Sequence, residues 1–65
     1  MDKEAIKGFL RWLEEASDAE LDARREDIQQ AWRRVSSREG KADINLALRL
    51  LDEEVLSRLS LKKHA

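Results

Sequence analysis

Ile44–Leu61 reads INLALRLLDEEVLSRLSL, which is more leucine than one buried helix face requires. Ile44, Ala47, Leu48, Leu51, Val55 and Leu59 follow the i, i+3, i+4, i+7 spacing of a single apolar stripe. At about 100° of turn per residue, Leu46, Leu50 and Leu61 fall together on the far side, and Leu56 falls between the two sets. A helix apolar on two sides needs cover from two sides. In a chain of 65 residues the second cover is expected from another molecule, and a second copy is the favoured candidate. The same sorting expects Leu50→Glu to weaken association more than Leu56→Glu.

Upstream of this stretch, Ser36-Ser37-Arg38-Glu39 has the serine-to-glutamate spacing of a capping box, while Gly40 offers a helix stop. Val35 closes one periodic run and Ala42–Ile44 opens the next, so the break is expected at the serines. The third helix then runs over about 37–61. If the second helix instead ran straight into the third, the chain would be a two-helix hairpin, which Ser36, Ser37 and Gly40 argue against.

Farther upstream, Ser17-Asp18-Ala19-Glu20 is a capping box flanked by Ala16 and Leu21 at the positions of a hydrophobic staple. It starts a second helix over about 18–35, whose apolar face is Leu21, Ile28, Ala31, Trp32 and Val35. Arg24 and Arg25 fill the turn between Leu21 and Ile28 with long apolar stems. A first helix over about 3–16 places Ile6, Phe9, Leu10, Leu13 and Ala16 on one face, with Trp12 at its edge. Gly8 lies inside it at a cost of up to ~1 kcal/mol relative to alanine. The helices would be roughly 20, 27 and 37 Å long, so the third outruns its cover. Residues 62–65 are expected to fray. The whole chain reads as one all-α domain over residues 1–65: a small three-helix antiparallel bundle, completed by homodimerisation through the third helix.

Composition agrees with that architecture. There is no proline, and leucine, alanine and charged helix formers dominate. So small a domain buries only about 60% of its unfolded surface, and such domains are usually reinforced by disulfides, a metal or self-association. Cysteine is absent and the one histidine is His64, which leaves self-association. No apolar run is long enough to span a membrane, and Met1-Asp2-Lys3-Glu4 lacks a signal-peptide core. A cytoplasmic location is expected.

Thirteen basic residues nearly balance fourteen acidic ones, so no overall attraction to nucleic acid or membrane follows. The distribution is uneven. Residues 1–23 hold three basic and seven acidic groups, and residues 24–41 hold six basic and three acidic. Glu20→Arg24 and Glu54→Arg58 have the favourable i, i+4 order. Arg24, Arg25, Arg33, Arg34, Arg38 and Lys41 form the candidate nucleic-acid contact, with Gln29 and Gln30 nearby. Against it, the second helix opens with Asp18, Glu20 and Asp22, which phosphates repel, and the third is too apolar to lie in a groove.

No enzyme constellation is present in the sequence. Asp52, Glu53 and Glu54 are consecutive on a helix and diverge by about 100° each, so they do not converge on a metal. The serines have no histidine base near them, and there is no glycine-rich phosphate loop. No catalytic, cofactor, metal or small-molecule site is expected. Trp32, in mid-stripe, is expected in the core, whereas Trp12 is assigned equally to core and interface. The expected function is therefore a small helical interaction protein, an adaptor or regulator acting by protein–protein binding. Its candidate homodimer or partner surface is Leu46, Leu50, Leu56, Leu61 and Trp12. The alternative is a dimeric nucleic-acid-binding regulator.

Overall fold

The computed structural model describes residues 2–64, with side chains as far as Leu61. Among these residues there are three helices and no strand: α1 (Lys3–Glu15), α2 (Asp18–Arg34) and α3 (Arg38–His64).

Each helix start is made by a side chain that satisfies backbone donors left over in a first turn. Asp2 Oδ1 accepts from the Ala5 N–H at 2.8 Å. At α2 the full capping box forms: Ser17 Oγ accepts from the Glu20 N–H, and Glu20 Oε1 accepts from the Ser17 N–H, both at 3.1 Å. At α3 the cap is Ser37, whose Oγ accepts from the Gly40 N–H at 3.0 Å. The box expected between Ser36 and Glu39 is thus replaced by a simple cap one residue later, and Gly40 lies in the first turn of α3, as a break at the serines implies. Gly40 has no positive φ; its role is steric. A Cβ there would meet Val35 Cγ1 at 2.5 Å and Ser37 Oγ at 2.8 Å, so the α2–α3 turn closes only over a bare Cα.

The core is small. Leu13, Ala16, Leu21 and Leu51 form one buried cluster, and Phe9, Trp12, Ile28, Leu50 and Val55 pack against it. Ala47 is also buried. Ala16 and Leu21, the two staple residues, both lie inside it, so the short α1–α2 turn is fixed by burial as well as by the capping box.

α3 packs against α2 and, over a shorter stretch, α1. Asp18 meets Arg58, Arg25 meets Asp52, and Trp32 meets Lys41, so partner numbers on α3 fall as those on α2 rise. Two features differ from the stripe analysis of α3. Leu50, placed on its uncovered side, packs against the core next to α1, and Leu46 is half-buried. Leu59, placed on the covered stripe, is 50% exposed. The reason is the same for both. α1 and α2 flank α3 from two sides, so the covered arc is broad near Leu50 and narrows toward the C-terminus. α3 also extends to His64, beyond the expected end at 61.

Candidate interaction surface

Arg58 sits where all three helices meet. Its Nη2 donates to the Leu13 carbonyl at 2.7 Å, its Nη1 to Asp18 Oδ1 at 2.9 Å and its Nε to Glu54 Oε2 at 2.8 Å. Leu13 carries one of the last four carbonyls of α1, which lack a helical partner. One guanidinium therefore joins the end of α1, the start of α2 and the flank of α3. The Glu54 and Asp18 carboxylates, in that order, hold its pKa above the ordinary arginine value. The expected i, i+4 pair Glu54–Arg58 forms, whereas Glu20 serves the capping box and Arg24 lies over Trp12.

On both sides of Arg58, α3 carries leucine that the rest of the chain leaves exposed: Leu56 is 63% exposed, Leu59 50% and Leu61 68%. Among the described residues, Leu10 on α1 and Trp32 on α2 are the other exposed large apolar residues. Trp32 corrects the expectation of a core tryptophan: its ring faces outward beneath Lys41, whose Nζ lies 4.4 Å from the ring centroid. This geometry provides a cation–π contact in place of burial. Trp12 is half-buried, stacked with Phe9 at 5.8 Å between centroids, with the Arg24 guanidinium 5.0 Å from its centroid.

Two shallow grooves open between α2 and α3. One, of about 160 Å³, is lined by Asp18, Leu21, Asp22, Val55, Arg58 and Leu59. The other, of about 250 Å³, is lined by Gln29, Trp32, Arg33, Asn45 and Leu48. The Arg25–Asp52 ion pair, at 3.2 Å, falls between them. A third groove, between α1 and α3, is lined by Leu10, Leu13, Leu50, Glu14, Glu53 and Glu54.

The residues singled out in the sequence do not share one face. Leu50 lines the groove beside Leu10 and Leu13 of α1, while Leu46 is half-buried and Leu56 and Leu61, about 140° apart around α3, are exposed. Of the six basic candidates, Arg24 and Lys41 cover tryptophans and Arg25 pairs with Asp52, while Arg33, Arg34 and Arg38 are exposed. The exposure of Leu59 and Trp32 was missed, because one-dimensional periodicity ranks positions around a helix but not along it.

Among the described residues no group of three histidine, cysteine, aspartate or glutamate side chains is placed to hold a metal ion. No helix of the described residues is long and apolar enough to cross a membrane. Comparison with known protein families, with characterised proteins and with solved structures gave no match.

Proposed function

We propose that this chain is a small non-enzymatic interaction protein, an antiparallel three-helix bundle that works in the cytoplasm as a homodimer joined through α3 and acts by binding protein. The observation that carries the proposal is the cluster of Leu56, Leu59 and Leu61, each at least half exposed within six residues of one helix. Exposed leucine at this density, on a domain with so little core, favours association over solvation. Leu56 and Leu61 are the most exposed of the residues expected at the contact; Leu46, Leu50 and Trp12 offer partial faces. Light scattering across an eluting peak tests the self-association. A dimeric mass at tens of micromolar is expected; a monomeric mass with a cooperative melt would reject it.

A second reading, nucleic-acid binding by a dimer, draws on the exposed Arg33, Arg34 and Arg38. It requires a gel shift that weakens steeply with salt. Absence of any shift with DNA and RNA at low salt eliminates it.

A further inference from the structure

We infer that the groove beside Trp32 binds single-stranded nucleic acid, one unpaired base stacking on the indole while Arg33, Arg38 and Lys41 take phosphates. The inference rests on the second reading above for its class of ligand alone; it needs neither a dimer nor a duplex.

The site is assembled from two helices. α2 contributes Gln29, Trp32 and Arg33, and α3 contributes Asn45 and Leu48, around a volume of about 250 Å³. Along α3, Arg38, Lys41, Asn45 and Leu48 follow i, i+3, i+7, i+10 and so share one stripe, about 15 Å long. Leu48 and the indole supply apolar surface. Gln29 and Asn45 carry amides that both donate and accept, which suits the polar edge of any base. Trp32 is exposed, with Lys41 Nζ 4.4 Å from its ring centroid. A base displaces that ammonium, because stacking on tryptophan is stronger than a cation–π contact at an exposed ring. Lys41 is then released to a phosphate.

Charge sets both the ligand and its extent. The residues that line the groove include an arginine and no carboxylate. Arg38, at the head of the stripe, is exposed. Glu39 and Asp43 fall outside the stripe, and Asp43 lines a different groove with Phe9 and Ile44. Toward the rest of the bundle the next charges are the closed pairs Arg25–Asp52 and Arg49–Glu53, both at 3.2 Å. Along α2 the next carboxylate is Glu26, in the neighbouring groove with Gln30, and Asp22 follows it. A rigid duplex laid along α2 runs onto these carboxylates, whereas a flexible strand turns away over Arg38. The bases of a duplex are moreover held in its stack, out of reach of an indole set between two helices.

Titration of the full chain with oligothymidylate and oligouridylate of about 10 residues tests the inference. Trp12→Phe, which leaves Trp32 as the one tryptophan, is the background for emission, and circular dichroism verifies that each variant is helical. Either strand is expected to quench Trp32 emission at low salt. Anisotropy of a labelled strand gives the affinities. Trp32→Ala should raise the dissociation constant at least about tenfold, and Trp32→Phe, which keeps an aromatic face, by about threefold or less. Arg33→Gln should lower the slope of log affinity against log salt by about 0.7, the value of one phosphate contact on a single strand. No binding of strand or duplex at low salt overturns this inference and the second reading together. A duplex bound as tightly as the strand overturns this inference alone, and so does a Trp32→Ala chain that binds like the parent. Self-association is read separately by light scattering, so a monomer that binds the strand supports this inference while rejecting the dimer.

Discussion

The Arg58 guanidinium donates to the Leu13 carbonyl across 45 residues of sequence, at 2.7 Å. The bond supplies a donor to an α1 carbonyl left without one and sets a positive charge at the negative end of that helix. It also ties α3 to the end of α1 at the point where Asp18 brings the start of α2 to the same guanidinium.

Arg58→Ala should therefore lower the thermal midpoint more than loss of a surface ion pair does. Arg49→Ala, which removes only the exposed contact to Glu53, is the reference and should change stability by less than about 0.5 kcal/mol. Arg58→Lys should recover only part of the loss, because one ammonium cannot spread three donors over Leu13, Asp18 and Glu54. Equal midpoints for Arg58→Ala and Arg49→Ala would remove the anchoring role.

The two glycines should respond in opposite directions to alanine. Nothing lies within 4 Å of a Cβ built at Gly8, so Gly8→Ala should stabilise by up to ~1 kcal/mol through helix propensity. Gly40→Ala drives a methyl group into Val35, a stiff β-branched side chain, and should destabilise by about 1–2 kcal/mol. Adding Val35→Ala to Gly40→Ala should cost less than the two changes separately. Urea denaturation of the four variants measures this coupling, and strict additivity would show that the contact is relieved some other way.

Core truncation should be severe. Leu51 is fully buried, and Leu51→Ala is expected to cost about 2–5 kcal/mol. A domain of this size has only about 3–10 kcal/mol in total. Calorimetry should show the Leu51→Ala transition shifted far down or lost, while Leu61→Ala at low protein concentration should melt like the parent.

Acid stability should depend on the α2 capping box. The Ser17 backbone N–H, and then its hydroxyl, hold the Glu20 carboxyl below its ordinary pKa. The unfolded chain, with a glutamate pKa near 4.3, therefore binds the proton more readily than the folded one. Glu20's contribution is complete above that unfolded value and is lost as pH falls through the lowered folded value. Between pH 6 and pH 3 the parent should lose more stability than Glu20→Gln, which keeps the hydrogen-bonded box but has no proton to take up. Identical pH dependence in the two proteins would contradict this assignment.

Much of the architecture was legible in the chain. Three helices, their order and two of their three starts follow from apolar spacing and from the Ser17 capping box. The sequence-based ends of α1 and α2 at 16 and 35 stand one residue beyond Glu15 and Arg34. Ala16 and Val35 accordingly serve as C-caps. The third start was harder, because Ser36 and Ser37 are chemically equivalent caps. The cap that forms is Ser37, whose Oγ accepts from the Gly40 N–H.

The interaction surface was less legible. The leucine surplus of Ile44–Leu61 was visible, but its division into covered and uncovered sets was not. Leu50 is reached by α1 and Leu59 is only partly reached by α2, although periodicity gives them the opposite assignments. Trp32 likewise has a mid-stripe angle but faces Lys41 and solvent.

By itself the sequence determined that this protein is helical, where the capping boxes and apolar stripes lie, and that α3 carries more leucine than one face can use. These are local properties, fixed by residue type and by 3.6 residues per turn. The tertiary structure alone decided which leucines are covered. Cover depends on where the flanking helices lie along α3, and their placement involves contacts such as Arg58 with Leu13 and Asp18, residues forty or more positions away. Angle around a helix is written in the spacing of residues; depth of burial along it is a property of the neighbours.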